Sequence, residues 1–396
     1  MQRSTMQRMT WATLALLLTT GAGAALAQDG HSSKKGPLVI AKQGYFFVGG
    51  TYQTVGTTQY VSGQAYVEYQ IPQNVKHPYP IVMIEGFGLT GTNFTGTPDG
   101  RDGWAQFFLR EGYAVYVYDQ PGRGRSAWVA SAYGAIPQPT SATASQSAFS
   151  RPEDANLYPT AHLHTQWPGT GFIGDPIFDQ FAASTSPAIG SGLIYEALNQ
   201  KAGADLLDRI GPAILLGHSQ GGLILWPIAD ARPALVKALV AFEPGGPPFY
   251  GVRFLGPPNW FENAALSFPW GITTGPMTYT PAVTNPAELQ PVQEATSQGP
   301  TLVRCWRQTE PAHALSNLRG IPTAIVTAEA SSPSTRDHCT SQFLRQAGVE
   351  NTHIRLSDVG IHGNGHMMML EENSDKIAAV VNQWLKANVN EGRSRR

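Results

Sequence analysis

"ILLGHSQGG", residues 214–222, runs three apolar residues into a glycine, a histidine and a serine and ends on paired glycines. It contains the pattern G-x-S-x-G with Ser219 at its centre. With 42 glycines in 396 residues, that pattern alone turns up by chance in roughly one of every few such chains. Its neighbours carry more information. "PAILLGHS" is a continuous apolar run that suits a buried strand, and "QGGLILWPIADA" reads as the helix that follows. A serine on the sharp turn between the two is held exposed, and Gly217, Gly221 and Gly222 let strand and helix backbones approach. A buried structural serine has no need of glycine on both sides.

Outward from this turn, strands and helices alternate. "GQAYVEYQIP" (63–72) alternates inward and outward residues and pairs naturally with "GPLVIAKQGYFFVGGTY" (36–52) as an antiparallel edge hairpin. "YPIVMIEG" (79–86), "GWAQFFLREG" (103–112) and "YAVYVYD" (113–119) form a strand, helix, strand unit. A helix over 192–210, strands at "VKALVAFE", "PTAIVTAE" and "NTHIRLSDVG", and an amphipathic last helix at "DKIAAVVNQWLKANV" complete the rhythm. Apolar strands between helices imply an α/β fold, with a mostly parallel central sheet covered by helices on both faces. Two irregular segments interrupt it. Residues 127–188, rich in Ser, Pro, Ala and Gln, read as an inserted cap, and residues 245–318 as a second insertion with aromatic Trp260, Phe261, Phe268 and Trp270. Residues 28–396 are expected to form a single domain.

The composition is 42% hydrophobic and 14% charged, with a net charge of -1. Such a surface offers no basic field for nucleic acid. At the N-terminus, Arg3 and Arg8 precede the apolar "WATLALLLTTGAGA" and an A-x-A site ending at Ala27, which reads as a bacterial-type signal peptide over 1–27. The chain is therefore expected to be exported, periplasmic or secreted, without stable membrane insertion. Cys305 and Cys339, the two cysteines, are expected to form a disulfide in that compartment. No C-x-x-C or H-E-x-x-H spacing suggests a metal site. "NFT" at 93–95 fits an N-glycosylation pattern of little weight in such a protein.

"GLTGTNFTGTPDGRDGW", "YVYDQPGRGRSA", "GHSQGG", "AFEPG" and "GIHGNGHMMM" stand in the same order as in a group of bacterial secreted esterases. Over residues 37–388 the chain resembles the α/β-hydrolase fold, and that group in particular.

A serine nucleophile needs a base, and the base needs a carboxylate. His362 and His366 share the loop after the last expected strand, and Glu243 and Glu329 stand at the ends of two strands. The residues alone leave both choices open. The resemblance implies His366, before "MMM", as base and Glu243, in "FEPG", as acid. For the oxyanion, the backbone N–H of Gln220 follows the nucleophile, and the resemblance implies Phe87 as the second donor.

Two departures from the group stand out. Glu85 occupies the position of a common histidine, and Phe87 and Gly88 stand where relatives can carry adjacent cysteines. Glu85 is expected to point away from the oxyanion and to pair with an arginine such as Arg101 or Arg123. Trp128, Trp167, Trp226, Phe94 and Met367–Met369 are candidates for an apolar pocket, with core packing the ordinary alternative.

The function implied is cofactor-free hydrolysis of a small-molecule carboxylic ester through an acyl-enzyme. The alternatives are amidase, acyltransferase or perhydrolase chemistry on the same triad, or a non-catalytic binding module. Oligomeric state has no sequence signal.

Overall fold

The computed structural model describes residues 36–389. The expected signal peptide, 1–27, lies outside them. The central sheet has eight strands: β1 Ile40–Val55, β2 Thr58–Pro72, β3 Ile81–Ile84, β4 Val115–Asp119, β5 Ala213–His218, β6 Val236–Phe242, β7 Thr323–Thr327 and β8 Thr352–Arg355. They lie in the order β1-β2-β4-β3-β5-β6-β7-β8. β1, β2 and β4 pair antiparallel, and every pairing from β4 to β8 is parallel. This is the expected mostly parallel sheet with an antiparallel N-terminal edge.

The continuous apolar strands follow from burial on both faces. Along β3 and β5, Val82, Ile84 and Leu215 point into one core with Ile224 and Trp226, while Ile81, Met83, Ile214 and Leu216 point into another with Trp104, Phe108 and Ile377. Helices α2 Gly192–Ile210 and α3 Gln220–Ala231 cover the first face. Helices α1 Trp104–Glu111 and α5 Ser374–Asn388 cover the second. Each such side chain contributes roughly 1.5–3 kcal/mol of burial. α5 shows how its sequence makes the face: Ile377, Val381 and Leu385 recur every fourth residue, and all three are buried.

Phe94, Trp226 and Met367–Met369 are fully buried in these cores, so the pocket expectation fails for them: their apolar surface is consumed by core packing. Asn93 is also buried, which keeps the "NFT" asparagine from a glycan.

The cap has no long helix. Its pieces include Ala142–Ser145, which runs into a π-helical turn Gln146–Ser150, then Pro152–Ala155 and Pro176–Ala183. The second insertion carries an antiparallel hairpin, Phe249–Phe254 with Phe261–Phe268. The Cys305–Cys339 disulfide ties this insertion to helix α4, Asp337–Gln346. α4 has no counterpart in the sequence reading: it buries Cys339, Phe343 and Leu344 together with the polar Asp337, His338, Thr340 and Ser341, a mixture that dilutes the apolar period.

Candidate active site

Three strand ends and two loops build the site. β5 stops at His218, and Ser219 takes φ 55° and ψ -117° before α3 begins. A positive φ costs a non-glycine residue on the order of 1–3 kcal/mol. The turn is locked from three sides. A Cβ added at Gly217 would lie 2.4 Å from the Gly221 carbonyl oxygen, and one at Gly221 would lie 2.2 Å from the Ile84 carbonyl oxygen. The Ser219 N–H donates to the Phe242 carbonyl at 2.8 Å, which fastens the turn to β6.

Glu243, directly after β6, also holds a positive φ of 45°. Its carboxylate is fully buried and surrounded by donors. His366 Nδ1 lies 2.5 Å from Oε2, the Ala328 N–H donates to Oε1 at 2.8 Å, and the Ser331 hydroxyl donates to the same oxygen. Burial raises the Glu243 carboxyl above its ordinary value, against these hydrogen bonds. Burial, joined by the nearby Arg336 charge, holds His366 well below the ordinary histidine value. The imidazole is therefore neutral at neutral pH, Nδ1 faces Glu243, and Nε2 is the nitrogen left to accept a proton.

His218 and Phe149 also belong to this arrangement. His218 Nε2 donates to the His366 carbonyl at 2.8 Å, and the two rings lie 4.5 Å apart. The residue beside Ser219 thus fixes the backbone of His366. Phe149, on the π-helical turn of the cap, stacks on the His366 ring at 5.8 Å and 20° and touches Phe181. Neither had a readable signal: His218 is the variable position of G-x-S-x-G, and Phe149 lies in the low-periodicity cap. A π-helical turn at a site is itself a common functional mark.

The rival residues meet each other. His362 Nδ1 lies 3.0 Å from Glu329 Oε1, and the Gly363 N–H donates to Oε2 at 2.9 Å. The His362 side chain is 62% exposed, against 15% for His366.

Phe87 and Gln220 flank the elbow. Gly86 packs so closely that an added Cβ would lie 3.1 Å from Ser219 Cβ, which brings the Phe87 loop against the serine. Arg123 spans the two donor segments: Nη1 donates to the Gly86 carbonyl at 2.7 Å and Nη2 to Gln220 Oε1 at 2.6 Å. Glu85 is buried beneath, 3.6 Å from Arg123, and accepts from the Gln120 N–H at 2.9 Å. Its partner is Arg123. Arg101 instead holds Asp99 and the carbonyls of Leu370 and Glu371. Burial raises the Glu85 carboxyl to about 8 despite Arg123. The positive end of Arg123 lies toward the donors, with Glu85 behind it.

A separate surface cavity of about 170 Å³ is lined by Thr92, Pro98, Phe181 and Leu370 among others, and by none of Ser219, His366 or Glu243.

Comparison with known proteins agrees with this fold. Residues 86–380 match the Alpha/beta hydrolase family. A protein described as a probable secreted lipase, from Fungal sp. strain ATCC 74256, is 44% identical over 344 residues, which is 86% of this chain and 89% of the relative. The structure of a novel bacterial esterase superposes with a TM-score of 0.63 at 26% identity, covering 91% of this chain and 99% of the other. No helix among the described residues is long and apolar enough to cross a membrane. A strained serine after the fifth sheet strand, a half-buried histidine paired with a buried carboxylate, and a family match over most of the chain lead to one assignment: the protein is a hydrolase and belongs to the alpha/beta hydrolase family.

Proposed function

We propose that the protein is a secreted serine hydrolase that cleaves carboxylic esters through an acyl-enzyme. The observation that carries the reading is the part-buried His366 to Glu243 contact of 2.5 Å in a chain whose Ser219 is strained at φ 55°. The names of its lipase and esterase relatives support ester substrates.

In the first step, Ser219 Oγ attacks the ester carbonyl carbon while His366 Nε2 takes the hydroxyl proton. Glu243 accepts from Nδ1–H, fixes the tautomer and stabilises the imidazolium that forms. The Phe87 and Gln220 N–H groups receive the oxyanion, each worth about 3 kcal/mol of barrier in comparable sites. Collapse of the tetrahedral intermediate breaks the C–O bond, and Nε2–H protonates the departing alcohol. Water then attacks the acyl-serine, with His366 as base again, releasing the acid and restoring Ser219. The N-terminal pattern supports export with cleavage after Ala27.

The test is fluorophosphonate labelling of the mature chain from Gln28, with peptide mapping, a Ser219→Ala control and a series of chromogenic esters of increasing acyl length. Labelling at Ser219 that vanishes in the control, with turnover of at least one ester, is expected. A folded protein that neither labels nor turns over an ester would move a binding-module reading to first place.

A further inference from the structure

The loop that carries His366 is stitched to the cap by a short strap, residues 164–166. The Thr165 N–H donates to the Gly363 carbonyl at 2.9 Å, and the Glu372 N–H donates to the Gln166 carbonyl at 2.9 Å. In the same strap the side chain of His164 is buried, 1% exposed, with a carboxylate at each ring nitrogen. Glu153 Oε2, on the cap helix Pro152–Ala155, lies 2.9 Å from Nδ1. Glu371 Oε1, on the histidine loop, lies 3.0 Å from Nε2.

Only a doubly protonated ring donates from both nitrogens. The proton belongs to the histidine because each carboxylate already has donors of its own. Glu371 accepts from the Gly365 N–H at 2.9 Å and from Asn364 Nδ2 at 2.7 Å, and Glu153 lies 3.1 Å from Arg151. Gly365 immediately precedes His366, and a Cβ added there would lie 2.9 Å from His164 Cδ2. The strap therefore seats the residue next to the proposed base.

We infer that His164 is a positioning residue: as an imidazolium held between Glu153 and Glu371, it clamps the loop bearing His366 to the cap. The inference rests on the serine-hydrolase reading for its effect on rate. The other charged groups around it are Arg151, behind Glu153, and Arg101, which donates to the Glu371 carbonyl at 3.2 Å; Tyr158 lies nearby, its hydroxyl donating to the Ala330 carbonyl. Burial alone would lower the His164 value, but Glu371 and Glu153 outweigh it and the net direction is upward. A raised folded value means that the clamp is fully present below the unfolded value of about 6.5 and is lost as pH rises through the folded value. The rate should fall on the alkaline side with it.

The experiment is the pH profile of kcat and kcat/KM for wild type, Glu153→Gln and His164→Gln, with thermal unfolding as the fold control. Glu153→Gln removes one of the two carboxylates, so the alkaline limb should move to lower pH by roughly one unit. His164→Gln should abolish that limb and lower kcat roughly tenfold at neutral pH, with KM within about threefold. An alkaline limb at the same pH in wild type and Glu153→Gln overturns the inference, even if His164→Gln fails to fold. A parallel NMR titration in Ser219→Ala protein needs no turnover. The His366 ring signals should shift with the His164 midpoint, and His164 titrating while His366 stays still overturns the clamp. Coupled signals in a protein that never labels with fluorophosphonate would instead sink the hydrolase reading alone.

Discussion

Two histidines in one loop each face a carboxylate carried from beyond the end of a neighbouring strand. His362 meets Glu329 after β7 at 3.0 Å, and His366 meets Glu243 after β6 at 2.5 Å. The residue types are the same and the distances similar. What differs is water. Glu329 is partly exposed, and although burial pushes its carboxyl up, the hydrogen bonds from His362 and Gly363 outweigh that and hold it below the ordinary range. Glu243 is fully buried, and burial wins. A solvated pair stays close to a surface ion pair, worth about 0–1 kcal/mol, whereas a desolvated pair has its proton affinity set by the protein. Chemistry is built on the second kind.

Exchanging the two carboxylates for amides breaks this comparison most directly. Glu243→Gln should lower kcat on esters by roughly 10³- to 10⁴-fold, and Glu329→Gln should leave it within about twofold. Comparable losses, read by steady-state kinetics, would erase the distinction between the pairs.

Arg123 and Glu85 sharpen it, since burial outweighs the Arg123 charge at Glu85 and the pair has a structural task. Arg123→Met leaves the buried Gly86 carbonyl and Gln220 Oε1 without their donor and should cost about 1–3 kcal/mol in denaturant unfolding. It also frees Gln220 and Gly86, so kcat should fall by roughly tenfold or more. Full activity and stability in that variant would show that the oxyanion segments need no such tether.

The disulfide extends the comparison to stability. It closes a separation of 34 residues, and Cys305→Ser with Cys339→Ser should cost about 2–4 kcal/mol of stability. The same change should alter kcat little, because the bond braces α4 rather than touching either pair.

Protonation gives the finest test. Because burial, joined by Arg336, depresses His366, the acid limb of kcat/KM should lie below pH 6.5, the ordinary histidine value. Arg336→Gln removes a positive neighbour, favours the imidazolium and should move that limb upward. His362→Gln should leave the profile unchanged. A limb that follows His362 instead would reassign the base.

How much of this was legible in the sequence depended on whether a residue's role was local. The elbow was readable because a buried strand, a glycine-flanked serine and a helix are contiguous, and each obeys its own periodicity. The central strands and α5 were readable for the same reason. The choice between His362 and His366 was not, since four residues of separation carry no information about which ring is covered. Burial there comes from Phe149 of the cap and His218 of β5, both distant in sequence from the loop. α4 escaped because polar Asp337, His338, Thr340 and Ser341 are buried among its apolar residues, and the strap escaped because its contacts, His164 to Glu371 above all, are made by loops without a period. Motif reading found the candidates, and tertiary desolvation is what distinguishes one histidine–carboxylate pair from the other.

The central claim is that Glu243, rather than Glu329, activates Ser219 through His366. Its most direct measurement is the second-order rate of fluorophosphonate labelling at Ser219 in wild type, Glu243→Gln and Glu329→Gln, with folding checked by thermal unfolding. The account predicts that Glu243→Gln slows labelling by at least about 10²-fold while Glu329→Gln matches wild type. Wild-type labelling in a folded Glu243→Gln protein, or a larger loss in Glu329→Gln, would contradict it.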